Sequence, residues 1–305
     1  MDIVQLTPTN YNVWDEFVKT HSEGTLFHSS LWKEIIERSF DYNSYYFMAL
    51  EDEQVQGILP LFHVKGWLSG NALISTPFAV YGGILANHLP AQQALLRAAQ
   101  DLAQQFRAHY IELRHRGELP LDGLHTKDSV YATFIKKMPE QVEDIYQELP
   151  KEARRMVRKG RQHDLELTFE SHNLDQFYNI YAVSVQKFGT PVFPKKLFRN
   201  CFDVLEDQTS MLYVYKNGNA IAAVLSFYYK DTVYPYYAGM LPEAKTLAPH
   251  NLMYLTLMEQ ARNSGYSTFD FGRSKLGTGA AKFKEHMGLE PTPLPYQFYL
   301  KTGRE

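Results

Sequence analysis

Residues Tyr266 to Leu300, YSTFDFGRSKLGTGAAKFKEHMGLEPTPLPYQFYL, decide how the chain is read. Alternation over Ser267 to Phe271 predicts a short strand that ends in Gly272-Arg273. A glycine-rich break follows at Gly277-Thr278-Gly279, then a helix over Ala280 to Met287, then Gly288. Arg273 therefore stands near a strand end and Lys284 on the helix behind it. Open α/β sheets place ligands outside that end of their strands, so the segment offers two cations to a polar ligand.

The remainder of the chain repeats this order of elements. Tyr46 to Leu50, a polar turn and Val55 to Phe62 read as a hairpin; Leu212 to Tyr215, the turn Lys216-Asn217-Gly218-Asn219 and Ala220 to Phe227 read as a second one. Tyr81-Gly82-Gly83-Ile84-Leu85 parallels Tyr237-Ala238-Gly239-Met240-Leu241, and helices over Ala91 to Phe106 and Asn251 to Asn263 follow. Tyr110 to Arg114 then matches Thr268 to Gly272, and Val130 to Ile135 matches Pro295 to Leu300. The offset runs from 156 (Tyr81 to Tyr237) to 165 (Phe47 to Leu212), a period that means a duplicated domain rather than a solenoid. Outside the matched elements, Asp2 to Leu6 reads as an opening strand. Helices are expected over Asn12 to His21 and Leu31 to Arg38, the latter capped by Ser29 or Ser30. Gly66 to Pro77 reads as a loop. A strand over Leu165 to Phe169 and helices over Leu174 to Phe188 and Lys195 to Leu205 open the second copy.

A chain of 305 residues suits two domains, expected at 1–150 and 151–305. A net charge of −3 gives no global pull toward nucleic acid or anionic membrane, so DNA is not an expected partner and any such contact is local. The single cysteine, Cys201, excludes an internal disulfide, and Phe198 and Phe202 beside it suggest a buried helix face. MDIVQLTP has no basic segment before an apolar core, and no run of about 18 apolar residues exists; a cytoplasmic protein without a transmembrane segment is expected.

Several side chains stand out, each with two readings. Lys151 to Arg161 is a basic helix with six cations, of which Lys151, Arg154, Arg155 and Arg158 fall on one face. It suits phosphates of a nucleotide-linked precursor or a tRNA acceptor stem, or it is a solvated amphipathic helix. Arg154 and Arg158, one turn apart, are the substrate-binding candidates. Arg273 suits a phosphate or carboxylate, or a salt bridge to Asp270. Lys284 suits a developing oxyanion or a diphosphate, or is as solvated as Lys282. Of Tyr236 and Tyr237, one faces a cleft and the other packs, because neighbours on a strand point to opposite faces. Thr190 and Phe193 shape a substrate wall or belong to a rigid proline turn. His28 and His250 stand alone, without metal-ligand spacing. No zinc motif, P-loop, Rossmann fingerprint or nucleophile elbow occurs, and no metal site is expected.

Each copy has helices before an antiparallel hairpin, another strand, a helix and further strands, which is the order in a GNAT acyltransferase domain. Two such domains in one chain resemble the FemAB family, aminoacyl transferases of peptidoglycan cross-bridge formation. The resemblance rests on Phe27-His28-Ser29-Ser30-Leu31-Trp32, the basic helix Lys151 to Arg161, Phe271-Gly272-Arg273 and Phe283-Lys284-x-x-x-Gly288. Lys187 to Pro194 is similar to FemAB-related proteins associated with the exosortase/PEP-CTERM system. The resemblance implies an α/β protein of two tandem GNAT-like domains, each a mixed, mostly antiparallel sheet flanked by helices. It implies an N-acyltransferase that moves an aminoacyl group from aminoacyl-tRNA to an amine of a peptidoglycan or other cell-envelope precursor. Lys284, Arg273 and Tyr237 would be catalytic, and Arg154, Arg158, Tyr236, Thr190 and Phe193 would bind substrate. Lys284 is preferred over Lys282 on the Phe283-Lys284 match alone.

The chain departs from the pattern in two places. The long helical insertion of arm-bearing FemAB members is missing. Ala244 to His250 stands where an acetyl-CoA-dependent GNAT has Q/R-x-x-G-x-G/A, and Pro249 lacks an N–H for a pyrophosphate. No resident cofactor is expected; aminoacyl-tRNA or acyl-CoA would be a co-substrate. Two alternatives stay open: transfer from acyl-CoA or an acyl carrier in exopolysaccharide or envelope synthesis, and a non-catalytic module that binds an envelope precursor.

Overall fold

The computed structural model describes residues 1–66, 70–127, 130–170, 173–187, 189 and 191–300. Contacts divide the chain into two compact units, 1–130 together with 293 onward, and 131–292. In the first, β1 (Asp2–Gln5) is followed by α1 (Tyr11–Thr20), α2 (Ser30–Ser39), β2 (Asn43–Glu51), β3 (Gln54–Gly66) and β4 (Gly70–Ile74). The short β5 (Leu85–Ala86), α3 (Leu89–Phe106), β6 (Tyr110–Leu113) and β7 (His125–Lys127) come next. The second unit opens with β8 (Tyr131–Lys137), α4 (Val142–Glu148), α5 (Lys151–Arg161), β9 (Glu166–Glu170), α6 (Leu174–Gln186) and α7 (Lys195–Leu205). The hairpin β10 (Thr209–Lys216) and β11 (Asn219–Tyr229), β12 (Thr232–Met240), α8 (Pro249–Asn263), β13 (Thr268–Lys275), α9 (Gly279–His286) and β14 (Pro291–Pro293) complete it.

The last strand, β15 (Tyr296–Leu300), belongs to the first sheet. Its described order is β1-β2-β3-β4-β6-β15-β7, with β5 against β3; the second runs β14-β8-β13-β12-β11-β10-β9. Both sheets are mixed: β4/β6 and β12/β13 are parallel, and the other recorded pairs are antiparallel. The matching terminal strands of the two repeats are therefore exchanged, β8 pairing with β13 and β15 with β6. The contact units divide after Val130, where the sequence reading set the division at Pro150. Residues 131–149 belong to the second unit, since Phe134, Ile145 and Leu149 sit in its core.

Local chemistry explains most elements. Ser29 caps α2, its hydroxyl accepting the Trp32 N–H at 3.3 Å, while Trp32, Ile35 and Ile36 are buried. Helix α3 buries Ala91, Leu95, Ala99 and Leu102, a stripe at helical spacing, and ends at Arg107 in the left-handed region. Helix α8 is buried on almost every side and forms the centre of the second core. Helix α5 buries only Ala153, Val157 and Gly160. A Cβ on Gly160 would stand 3.3 Å from the Ala248 carbonyl oxygen, so glycine is what lets α5 lie close to the start of α8. One sequence expectation fails: Tyr81 to Ile84 is not a strand. The counterpart of β12 is β4, inside the expected Gly66 to Pro77 loop, and residues 75–84 form a connection.

Candidate functional site

The parallel pairs at the centre of the two sheets behave differently. In the second unit, β12 and β13 pair only at Thr232 with Thr268 and Val233 with Phe269, and then part. Parting strands leave edge carbonyls that need other donors. From α9, Lys284 donates to the β13 carbonyl oxygens of Phe271 (2.6 Å), Gly272 (2.9 Å) and Arg273 (3.3 Å). Its ammonium also lies 5.1 Å from the centre of the Phe134 ring. His250, in the first turn of α8, hydrogen-bonds the backbone of Gly239 in β12. Its Nε2 is buried and has no partner among the described residues.

In the first unit the corresponding gap is filled by the chain itself. Strands β4 and β6 pair over Ala72–Ile74, after which residues 75–84 run along β6. Ser75 N–H donates to Glu112, Gly82 N–H to the Arg114 carbonyl, and the Arg114 guanidinium to the Thr76 and Ala79 carbonyls. Ile84 N–H donates to His115 Nε2 at 2.9 Å, and a Cβ on Gly83 would come within 1.9 Å of that imidazole. His115 is thereby fixed as an acceptor. Burial lowers it to about 4, and burial lowers the adjacent His28 to about 3, helped by His115, His21 and Arg116. A hollow of about 670 Å³ beside α3, lined by Ile3, Tyr45, Phe47 and Ala94 among others, carries only Arg97 and Asp101 as charged side chains. The parting of β12 from β13 lies in the second unit.

The electrostatics there are unusual. Burial brings the Lys284 ammonium down to about 7; the Asp270 carboxylate opposes that fall and the Arg273 guanidinium adds to it. Arg273 is exposed, with its guanidinium 4.3 Å from the centre of the Tyr131 ring. His250 is lowered to about 4 by burial, against the Gly239 hydrogen bond. Lys282 is exposed on α9, so Lys284 is the helix lysine that turns to the sheet.

The structure brings Lys284 against the Arg273 backbone, and it sets His250, which the sequence left as an isolated histidine, beside the Phe283 ring of α9. Tyr237 is elsewhere. Its ring sits under α6 and α7 among Tyr181, Phe193, Phe198 and Phe227, at centroid distances of 5.0 to 6.2 Å. The Tyr237 hydroxyl is buried without a hydrogen-bond partner among the described residues, and burial pushes it well above the usual phenol range. Tyr237 is the packing member of the Tyr236–Tyr237 pair, because it pairs with Leu225 and so shares a face with Phe227. Tyr236 stays half-buried, its ring 5.4 Å from Phe227. Phe193 meets Tyr237 edge-on, and Thr190 lies outside the described residues.

Arg154 donates to the Gln147 carbonyl and Arg158 to the Tyr146 hydroxyl, so both lean on α4 rather than on Lys284. Helix α5 nevertheless starts beside the end of α9: a Cβ on Gly288 would lie 2.9 Å from the Pro150 ring, and Glu152 senses the His286 charge. No group of three or more His, Cys, Asp or Glu side chains suited to a metal exists among the described residues, and none of their helices is long and apolar enough to cross a membrane.

Residues 148–285 match the family described as acetyltransferase (GNAT) domain. No curated protein matches the chain. Among solved structures, FemX superposes with a TM-score of 0.77 at 16% identity, covering 99% of this chain and 98% of its own. A tandem GNAT protein from the clavulanic acid biosynthesis pathway gives 0.64 at 10% identity, over 100% and 99% of the two chains. L-PGS from Bacillus licheniformis gives 0.59 at 13% identity, over 97% and 92%. At these identities the likeness is one of fold, and the fold is that of a tandem GNAT.

Proposed function

We propose that this chain is a FemAB-like N-acyltransferase whose reacting centre lies where β12 and β13 part in the second unit. The observation that carries the reading is the Lys284 ammonium, held by three β13 carbonyls just past the last β12–β13 pair, where the first-unit strand β6 is instead lined by residues 75–84. The full-length likeness to FemX supports an aminoacyl donor and an envelope acceptor. In that reaction an amine nitrogen attacks the ester carbon of aminoacyl-tRNA. The new C–N bond replaces the C–O bond to the ribose, and one amine proton ends on the released ribose hydroxyl. Holding both substrates in line supplies much of the rate, so no covalent enzyme intermediate is required. Lys284 supplies positive charge near the reacting carbonyl, Arg273 binds a phosphate, and Arg154 and Arg158 bind phosphates further along.

Transfer from acyl-CoA is the second reading. Pro249 stands where the loop of an acetyl-CoA-dependent GNAT receives the cofactor and has no N–H to offer, which disfavours it. The experiment is a product assay by mass spectrometry. Purified protein is given a nucleotide-linked muropeptide with aminoacyl-tRNA in one arm and with acetyl-CoA in the other. An aminoacylated muropeptide in the first arm alone is expected. An acetylated product in the second arm establishes the rival reading, and binding without product in either arm leaves a non-catalytic module.

A further inference from the structure

The cradle that holds Lys284 has a builder of its own. Strand β13 pairs with β8 through Asp270 opposite Ile135 and then Arg273 opposite Thr133, so β13 spends three residues where β8 spends two. This is a bulge, and bulges next to sites re-aim side chains and backbone groups. Its carbonyls at 271, 272 and 273 are the three that receive the Lys284 ammonium. Two features shape it. Gly272 has φ of +64°, the left-handed region that favours glycine. Asp270, 2% exposed, accepts the Gly272 N–H at 2.8 Å and so closes the turn from inside, with Thr133 at 3.5 Å from the same oxygen.

We propose that Asp270 is the positioning residue of this site: it folds the bulge that aims three carbonyl oxygens at the Lys284 side chain. The inference deepens the transferase reading above and rests on it for its purpose, though not for its physical content. Three neutral carbonyls attract an ammonium but carry no net charge. The charged groups that act on Lys284 are Asp270 and Arg273, both from β13, while β8 presents the Phe134 ring. Arg273 repels the ammonium and burial opposes it, so Asp270 is the one carboxylate among these influences that favours the charged form. An ammonium held near its point of neutrality releases a proton more readily than an ordinary lysine. That property suits a group that meets a leaving oxygen.

The test reads the lysine directly. Lysine side chains are labelled with ¹³C, the Lys284 signal is assigned by its loss in Lys284→Met, and it is titrated by NMR in the whole chain. Asp270→Asn keeps an oxygen for the Gly272 N–H while removing the charge, so the fold is kept. The Lys284 midpoint is expected to move down by about one pH unit, the low end of what an adjacent opposite charge supplies. Arg273→Gln should move it up. In Asp270→Ala, which removes the acceptor as well, a crystal structure should show the three carbonyls turned away from the ammonium. An unmoved midpoint in Asp270→Asn, or an intact cradle in Asp270→Ala, overturns the inference. Failure of the transferase reading shows separately, as absence of acylated product from a wild-type protein whose Lys284 still titrates as described.

Discussion

Lys284 has a task in the fold itself, apart from the role proposed for it in a reaction. Its three hydrogens match three carbonyls, so part of its work is to satisfy backbone oxygens at the bulge of β13. Lys284→Met should lower turnover by about 10²- to 10³-fold, the range for loss of one group stabilising developing charge. A circular dichroism spectrum unchanged from the wild type must accompany the loss; a retained rate removes Lys284 from the chemistry. The pH dependence has a definite sign. The ammonium is complete below about 7 and lost above it, so a step that needs the charge should slow as pH rises through that value. A rate that climbs across the same window would show that the free amine is the working form. His115 makes the opposite kind of prediction, on stability. Its folded value of about 4 lies below the ordinary 6.5, so its contribution is whole above 6.5 and is lost as pH falls toward 4. Urea unfolding at pH 7.5 and pH 5 should differ by about 2 kcal/mol from this group. In His115→Asn that difference should shrink, whatever the absolute stability; an unchanged pH slope assigns the acid sensitivity elsewhere.

At the scale of elements, α5 is where sequence and structure agree most closely, and where binding is best tested. Its cations face outward because only Ala153, Val157 and Gly160 are buried. If the donor is tRNA, Arg154→Gln with Arg158→Gln should flatten the plot of log affinity against log salt by about 0.7 to 0.9 for each phosphate that the two arginines neutralise. Fluorescence anisotropy at several salt concentrations measures it, and an unaltered slope removes both arginines from the phosphate path. Helices of this kind were legible because their signals are local: a stripe at 3.6-residue spacing, the serine cap of α2, the glycine breaks around α9. The hairpins were legible from alternation and polar turns. What escaped reading depends on partners distant in sequence. Strand β4 is five residues long, and nothing local separates it from a loop; its pairing with β6 makes it a strand. The face taken by Tyr237 depends on its register with β11, where an irregularity lies between Leu225 and Ser226. The bulge under Lys284 is likewise a register shift, so Arg273 and Lys284 could be chosen by motif, Asp270 only as an orienter or as a partner for Arg273, and His250 not at all.

For the molecule as a whole, the duplicated order of elements was visible in the sequence but the ownership of the terminal strands was not, since the two candidates are similar and either sheet could accept either. The exchange makes the boundaries testable. A fragment of residues 131–292 should melt cooperatively, whereas 151–305, cut at the division read from sequence, lacks β8 and a core layer around Phe134, Ile145 and Leu149. Thermal melts followed by circular dichroism should show a sharp transition in the first and a broad or absent one in the second; equal melts would mean that β8 is dispensable. The same exchange sets a timetable for synthesis. A ribosome delivers β1 to β7 early, but β6 and β7 stay unjoined until residues 296–300 emerge, after the whole second unit has been made. The earliest part of the chain is thus the last to close, with a raw strand edge exposed for the interval, and a nascent chain stalled before residue 296 would present that edge to chaperones and to other nascent copies.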